Sequence, residues 1–478
     1  MSAESPPGGD QGSTRITARA ARDAESGPRV ALLFHRLLAL VFVLAWASLG
    51  AQVNVLVGSR GLLPARDLAR MIAERGDVSF LDAPSLFRFG ASDGALSLGV
   101  AAGAACSLLA LLGFAPRLFS AASTFLYLGY AVICRNFLSF QWDNLLLECG
   151  ALAALLPPRT RAPWVHFLLR ALLFKLYFES GLAKYGSTLG DWKDGSAMRF
   201  YYETAPIPTW VAWYAHQLPP WFHRLESWGA LGFELGVPFL VFLGQRGRLA
   251  ASAVFAGFQF LNILTANYGF FSYLALVLQV MLLTDGDVRR AGRAIRERLG
   301  RSARGVRRCR AILRLAHAKW TLSQPYQAIA RVASGDDART FVFLGRLSLA
   351  SVVISLYLGV SLDGGLQAFA GGLPASQTLS RAANVLAPLR LINTYHLFSS
   401  ITRERVEPTF ETFDGETWTE HQMHYKPGDP RRPPPFVAPH QPRVDFLLWF
   451  YGLSHERGTP LYVQNLVMKL CSDPGAVA

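Results

Sequence analysis

The sequence predicts a polytopic α-helical membrane protein that carries a small β-rich domain outside the membrane at its C-terminal end. Hydrophobic residues make up 51% of the 478 residues and charged residues only 17%, which is less charge than a soluble chain of this length usually carries. The apolar residues form long runs, as membrane-spanning helices require. After the last long run the chain becomes polar, aromatic and rich in proline.

The apolar runs predict about nine membrane-spanning helices. Some runs are shorter than the roughly 20 residues that an upright span needs, so we expect tilt or burial within the bundle. The first run lies too far along the chain to belong to a signal peptide. The predicted spans are 37–55, 95–114, 118–134, 144–157, 164–183, 226–243, 249–265, 268–284 and 341–361.

The distribution of positive charge predicts the orientation of these spans. The short loops 115–117, 158–163 and 244–248 contain arginine and no acidic residue. Residues 285–340 hold fourteen Lys or Arg against five Asp or Glu. Because basic loops stay in the cytoplasm, we expect these loops there. The net charge of +14 then reflects membrane orientation, and no nucleic-acid partner is expected.

These features divide the chain into five regions. With nine spans the N-terminus is cytoplasmic and the C-terminal region faces outward. The regions are a disordered cytoplasmic N-terminus (1–30), a transmembrane bundle of eight spans (31–284), a basic cytoplasmic loop (285–340), the last transmembrane helix (341–361) and an outward-facing β-rich domain with a proline-rich arm (362–478).

Local patterns in the tail predict its elements. Aromatic and polar residues alternate around Asp414-Gly415, a dipeptide that favours a tight hairpin turn. The following "KPGDPRRPPPFVAPHQPR" contains seven prolines, which exclude a helix and favour an extended arm packed on the β domain. The apolar "VDFLLWFYGL" is only ten residues long, so we expect a core or interfacial helix there.

Ionisable residues within the apolar runs predict a polar network inside the membrane, where charged side chains face the bundle interior and pair. Lys175 and Glu179 are four residues apart, so they share a helix face and can pair. The hairpin through 158–163 could bring Glu148 to that face. The predicted network comprises Asp143, Glu148, Arg170, Lys175, Glu179 and Glu234.

Two interpretations of this network stay open. The ion pairs could fix the register of the helices. Alternatively, Lys175, Glu179 and Glu148 could be the catalytic groups of a membrane enzyme that acts on a lipid-soluble substrate. The chain has five cysteines and no CxxC pair, so neither a metal nor another cofactor is expected.

Several motifs give the chain a resemblance to a known family. They are "FQWDNLLLECG", "YYETAPIPTWVAWYAHQLPPWFHRLES", "INTYHLFSSITRERVE" and "DGETWTEHQMHYKPGDPRRPPPFVAPHQPRVDF". With these motifs the chain resembles the lipase maturation factor family. Family members are polytopic membrane proteins, and the animal members sit in the endoplasmic reticulum membrane and help secreted lipases to fold and assemble. Ala205 departs from the expected glutamine, and His396 departs from the expected glycine.

The resemblance implies a membrane-embedded maturation or folding factor for exported proteins rather than an enzyme. The Ala-, Arg- and Gly-rich composition indicates a bacterial member, which would sit in the plasma membrane. Its expected partners are membrane lipids and an exported client protein such as a lipase. The enzyme alternative draws on a similarity in architecture to the membrane half of vitamin-K-dependent γ-carboxylase.

The predicted outer loop 184–225 is dense in aromatic residues. Trp210 to Phe222 suit a belt at the membrane surface. The stretch "DGSAMRFYYETAPIP" interleaves rings with charges, which suits a groove for an exposed apolar segment of a client. The residues expected to contact the client are Trp192, Tyr201, Tyr202, Glu203, Pro439, His440, Gln441 and Arg443.

Overall fold

The computed structural model describes residues 27–300, 336–369, 376–429 and 431–477, and these residues are mainly helical. Residues 1–26 of the predicted disordered segment and residues 301–335 of the basic loop lie outside the described residues, whereas Pro28 to Val30 begin the first helix. The α-helices are α1 (Pro28–Gly50), α2 (Val53–Val57), α3 (Ala65–Arg75), α4 (Asp93–Leu112), α5 (Pro116–Ile133), α6 (Gln141–Leu155), α7 (Pro163–Tyr185), α8 (Ala197–Thr204), α9 (Trp210–His216), α10 (Pro220–Gly236), α11 (Gln245–Thr265), α12 (Phe271–Leu278), α13 (Asp285–Gly300), α14 (Asp336–Phe369), α15 (Gln377–Leu386), α16 (Arg443–Ser454) and α17 (Leu461–Ser472).

Local sequence signals set where the long helices begin and end. Proline stands in the first turn of α1, α5, α7 and α10, where its missing N–H costs no hydrogen bond. The side chain of Ser92 caps α4 by accepting a hydrogen bond from the N–H of Ala95 at 3.2 Å. Gly113 follows the last residue of α4, and its φ of +92° is a conformation that glycine adopts readily.

Five helices of the described residues are long and apolar enough to cross a membrane, or six if one bent pair counts as a span. The count of nine is therefore not confirmed. The five are Pro28–Gly50, Asp93–Leu112, Pro220–Phe242, Gln245–Thr265 and Ser348–Phe369, and the bent pair is Phe271–Leu282 with Asp285–Ile295 at 115°.

Two of the remaining predicted spans, 144–157 and 164–183, are largely buried helices. Helix α6 has 15 residues, about 22 Å of helix against a hydrocarbon core of about 30 Å. Helix α7 has 23 residues and buries 15 of them, including Lys175, Glu179 and Lys184. By contrast, only 17–22% of the membrane-length windows in α4, α10, α11 and α14 is buried. Helices α6 and α7 therefore bury a larger share of their residues than these four helices do.

Two boundaries differ from the sequence prediction. The first membrane helix begins at Pro28 rather than at residue 37, because His35 is fully buried and its Nε2 lies 2.8 Å from the carbonyl oxygen of Leu156. The last apolar stretch runs over Ser348–Phe369 rather than 341–361.

The predicted basic loops meet at one end of the bundle. The carboxylate of Asp285 accepts hydrogen bonds from the backbone of Gly27 and Val30 at 3.2 and 3.0 Å. At the same end, Arg117 donates to the carbonyl of Ala154 at 2.8 Å. These contacts join the start of α1 to the start of α13 and the start of α5 to the end of α6.

The C-terminal residues pack on the opposite end. The N–H groups of Gln441 and Arg443 donate to Ser48 Oγ and Gln52 Oε1, both at 2.9 Å, near the end of α1. Asn465 donates to the carbonyl of Leu62 at 2.7 Å. Helix α16 buries Phe446, Leu447 and Leu448, so the expected core helix is confirmed.

The predicted hairpin is confirmed. Strands β1 (Phe410–Phe413) and β2 (Trp418–His421) pair antiparallel, with Phe410 opposite His421. The Asp414 carboxylate accepts hydrogen bonds from the N–H groups of Glu416 and Thr417 at 2.9 and 2.8 Å, and these bonds hold the pKa of Asp414 below its usual value. Within the described tail, strand structure is limited to this pair, so most of the domain is helix and extended arm.

Candidate functional site

A buried ion pair joins the bundle to the C-terminal domain. Arg443 holds both oxygens of the Asp143 carboxylate, with Nη1–Oδ2 at 2.6 Å and Nη2–Oδ1 at 2.8 Å. Tyr127 also donates to Asp143 at 2.7 Å, and Arg443 donates to the carbonyl of Phe137 at 3.0 Å. Both charged residues are at most 1% exposed. This bidentate pair links the "FQWDNLLLECG" motif to the end of the proline arm.

A second cluster surrounds Glu148 on α6. Its Oε1 accepts hydrogen bonds from Lys175 Nζ at 2.7 Å and from Tyr357 Oη at 2.5 Å. Its Oε2 accepts from Tyr395 Oη at 2.7 Å and from the side-chain and backbone N–H groups of Asn393 at 2.9 and 3.2 Å. Five donors thus satisfy one carboxylate that is fully buried. This saturation suits a group that holds helices α6, α7 and α14 to the "INTYHLF" segment.

Lys175 pairs with Glu148 rather than with Glu179, the other carboxylate that helical spacing puts within its reach. Helical spacing places Lys175 and Glu179 on one face, but the antiparallel packing of α6 on α7 decides which carboxylate the amine reaches. Glu179 Oε2 accepts a hydrogen bond from the N–H of Tyr395 at 2.7 Å. The two glutamates therefore hold successive parts of the same C-terminal segment.

The other predicted network residues lie in separate clusters. Glu234 on α10 pairs with Lys184 on α7 at 2.7 Å, and Lys184 also donates to the carbonyl of Leu397 at 2.9 Å. Arg170 donates to the carbonyl of Met281 at 2.8 Å, near the opposite end of the bundle. The six predicted residues thus form several sites rather than one network: Asp143 binds Arg443, and the other five lie on α7 or contact it.

A groove opens between the aromatic loop and the proline arm. It encloses about 810 Å³ and has an aromatic wall in which Trp210, Trp213 and Tyr214 are 45–61% exposed. Exposed rings of this size in a concave surface are typical of binding sites. The groove is lined by Tyr202, Glu203, Pro208, Thr209, Trp210, Ala212, Trp213, Tyr214, His216, Arg405, Pro427, Arg431, Arg432, Pro433 and Pro434.

Arg405 closes the base of this groove. Its guanidinium donates to the carbonyl oxygens of Glu203, Ala205 and Pro206 at 2.9, 2.5 and 3.2 Å. Glu407 forms ion pairs with Arg405 and with Lys426. Burial lowers the pKa of both cations, and the charge of Glu407 offsets part of that effect. Arg405 therefore ties the aromatic loop to the C-terminal domain, as does Trp449, which donates to the carbonyl of Thr204 at 2.8 Å.

Asn267 fixes the proline arm from the side of the bundle. Its Nδ2 donates to the carbonyl of Pro435 at 3.0 Å, and its Oδ1 accepts from the N–H groups of Val437 and Ala438 at 2.7 and 3.0 Å. The ring of Phe436 packs edge-on against Trp210 with centroids 5.8 Å apart. Both walls of the groove are thus attached to the same bundle end.

The structure places the predicted client-contact residues in two groups. Tyr202 and Glu203 line the groove, and Glu203 lies 3.5 Å from His216. The others lie outside this groove: Trp192 and Tyr201 line a separate cavity beside α7 and α10, and the remaining four belong to the arm and the start of α16. Trp192, Tyr201, Gln441 and Arg443 are at most 7% exposed, whereas Pro439 and His440 are half-buried.

Two family models match this chain. The lipase maturation factor transmembrane domain matches residues 29–290, and the lipase maturation factor C-terminal domain matches residues 391–478. The first match alone covers more than half of the chain. The chain belongs to the lipase maturation factor family. As a family member it is a multi-pass membrane protein with the role of a maturation factor.

Individual relatives agree with this assignment. The chain is 31% identical to lipase maturation factor 2 of Rattus norvegicus, over 92% of this chain and 74% of the relative. It is 30% identical to lipase maturation factor 1 of Bos taurus, over 88% of this chain and 74% of the relative. No solved structure matches significantly. The γ-carboxylase resemblance receives no support from these matches.

The sequence did not predict Tyr357, Asn393 and Tyr395 as partners of Glu148. A usable signal was present, because a buried carboxylate needs several donors and "INTYHLF" supplies an amide and a phenol. The same reasoning could have assigned Arg443 to Asp143. The two residues are 300 positions apart in the chain, and the sequence alone does not show that they are neighbours in space.

Proposed function

We propose that the groove between the aromatic loop and the proline arm binds an unfolded segment of an exported client, such as a lipase, during its maturation. The supporting observation is a large concave surface whose rings stay exposed while its base is fixed by Arg405 and Asn267. A groove that is already formed loses little conformational entropy on binding. Exposed indole and phenol rings bury apolar surface and keep a polar edge for hydrogen bonds.

The charges around the groove favour a client segment that carries acidic residues. Arg431 and Arg432 are exposed at its proline-rich wall. Arg405 at the base is already paired with Glu407, and Glu203 faces His216. These two exposed arginines therefore supply positive charge beside exposed rings, a combination that suits alternating apolar and acidic side chains.

We further propose that the protein sits in a bacterial plasma membrane with this groove on the outer side. The support comes from the separation of charge, because the arginine-rich short loops lie at the bundle end opposite the C-terminal residues. Basic loops are retained in the cytoplasm. A client emerging from the export machinery would then meet the groove at the outer membrane surface.

The test is complementation of a deletion strain, read out by quantitative proteomics of exported proteins. The test variant is Trp213→Ser with Tyr214→Ser. Its control is Trp418→Ser, which removes an exposed ring that lies in the C-terminal domain and outside the groove. We expect the deletion to lower a subset of exported proteins, which wild type and the control restore and the test variant does not. Full complementation by the test variant, or no change in the deletion strain, would overturn the proposal.

A further inference from the structure

A second groove runs along the outside of the bundle between α7 and α14. It encloses about 510 Å³, a volume in the usual range for small-molecule sites. Its walls are two stripes at helical spacing. Helix α7 contributes Phe167, Ala171, Phe174, Lys175, Phe178, Glu179 and Leu182, and helix α14 contributes Tyr357, Leu358, Ser361, Leu362, Gly365, Leu366 and Phe369.

The dimensions of this groove match one lipid chain. The α7 stripe covers 15 residue steps and the α14 stripe covers 12, which corresponds to about 18–22 Å at the helical rise. Half of the hydrocarbon core is about 15 Å deep. The outer rim carries Phe167, Leu362 and Leu366, which are 38–65% exposed, and α14 is one of the membrane-length helices. The groove is therefore open toward the acyl chains of the bilayer.

The groove contains one carboxylate oxygen that lacks a donor. Glu179 is 6% exposed and lines the groove, and its Oε2 is occupied by the N–H of Tyr395. Its Oε1 accepts no hydrogen bond from any residue of the described part of the chain. The neighbouring amine of Lys175 is directed to Glu148 at 2.7 Å and to Ser361 at 3.3 Å. A polar acceptor in an apolar groove is satisfied only if a ligand brings a donor.

The helix opposite leaves room for such a ligand. A Cβ atom added at Gly365 would lie 3.5 Å from Glu179 Oε1, so the glycine keeps the space beside this oxygen open. We propose that the α7–α14 groove binds a single membrane lipid with a free hydroxyl group. One acyl chain lies along the two stripes, and the hydroxyl donates a hydrogen bond to Glu179 Oε1. This site is separate from the proposed client groove and does not depend on it.

The test is photolabelling of the full-length protein in vesicles of phosphatidylethanolamine and phosphatidylglycerol. The probes are a diacylglycerol with a photoactivatable acyl chain and its methyl ether, which lacks the hydroxyl proton. Labelled peptides are then mapped by mass spectrometry. We expect diacylglycerol to label peptides of α7 and α14 at least fivefold more than its methyl ether does.

The variants Gly365→Leu and Ala171→Phe fill the groove from its two walls and should each remove most of this labelling. Val352→Leu is the matched control, because it adds apolar volume to a bilayer-facing position of the same helix that does not line the groove. Equal labelling by the two probes would overturn the proposal. Undiminished labelling in both blocking variants, with protein that accumulates normally, would overturn it as well.

Discussion

The guanidinium of Arg443 donates two hydrogen bonds, of 2.6 and 2.8 Å, to the carboxylate of Asp143, and both residues are buried. Asp143 lies in the region that matches the family's transmembrane domain, and Arg443 lies in the region that matches its C-terminal domain. The pair therefore fixes one matched region on the other. The groove depends on this attachment, since its two walls come from the two regions.

The variant Arg443→Met should destabilise the protein by about 3–5 kcal/mol, because it leaves Asp143 buried without its counter-charge. The measurement is thermal or denaturant unfolding of the purified protein in detergent. The double variant Asp143→Leu with Arg443→Met removes both charges and should recover part of the loss. An unfolding midpoint for Arg443→Met equal to that of wild type would show that the pair does not hold the domain.

The Glu148 cluster yields a contrast between two substitutions on α7. Lys175→Met removes the only cation paired with Glu148 in the described residues and should cost about 3–5 kcal/mol, so little protein should accumulate in the membrane. Glu179→Gln keeps an oxygen that can accept from Tyr395 and should accumulate normally. Immunoblotting of membranes checks both. Normal accumulation of Lys175→Met with complete loss of function would instead favour a chemical role for the amine.

Asn267→Ala should loosen the proline arm. The substitution leaves the N–H groups of Val437 and Ala438 without their acceptor, a loss of about 1–3 kcal/mol. Limited proteolysis should therefore cut the arm faster than in wild type. The control is Gln422→Ala, an exposed position of the same domain, which should leave the cleavage rate unchanged; equal rates for both variants would contradict this role of Asn267.

The attachment of the arm should weaken in acid through His440. Burial, with a smaller effect from Arg443, lowers the pKa of His440 below its usual 6.5, so the folded state favours the neutral ring that lies 3.1 Å from Ser48 Oγ. As the pH falls, the imidazole of His440 is therefore protonated at a higher pH in the unfolded chain than in the folded protein. The stability from the neutral ring is present above about pH 6.5 and is lost as the pH falls toward the folded-state pKa.

The measurement for His440 is the unfolding midpoint of wild type and of His440→Gln between pH 7.5 and pH 5.5. Wild type should lose stability relative to the variant as the pH falls, since the glutamine does not titrate. A constant difference between the two proteins over this range would exclude the contribution of His440.

Periodicity and charge in the sequence were sufficient to predict the helical membrane fold, the hairpin and the short helix of the tail. They indicated that Asp143 and Glu148 are buried, but not which side chains donate hydrogen bonds to the two carboxylates. The partners of Glu148 include Tyr357 and Tyr395, which are more than 200 residues away in the chain. Helical spacing favoured a local pair of Lys175 with Glu179, and tertiary packing overrode it.

The residues predicted to contact the client show the same limit of prediction from sequence. Tyr202 and Arg443 both stand in motifs rich in rings and polar groups and both are buried, yet Tyr202 lines the groove and Arg443 pairs with Asp143 beneath the domain. Composition alone does not separate a ring that faces a groove from an arginine that fills the interior. That difference depends on how the arm folds back onto the bundle.

The orientation of the protein in the membrane is tested most directly by labelling single cysteines with a membrane-impermeant maleimide in intact spheroplasts. Cys471 is exposed in α17 of the C-terminal domain, whereas Cys309 belongs to the basic loop outside the described residues. A protein that retains only Cys471 should be labelled in intact spheroplasts, and one that retains only Cys309 should be labelled only after lysis. Labelling of Cys471 only after lysis would put the groove in the cytoplasm and contradict a role in the maturation of exported proteins.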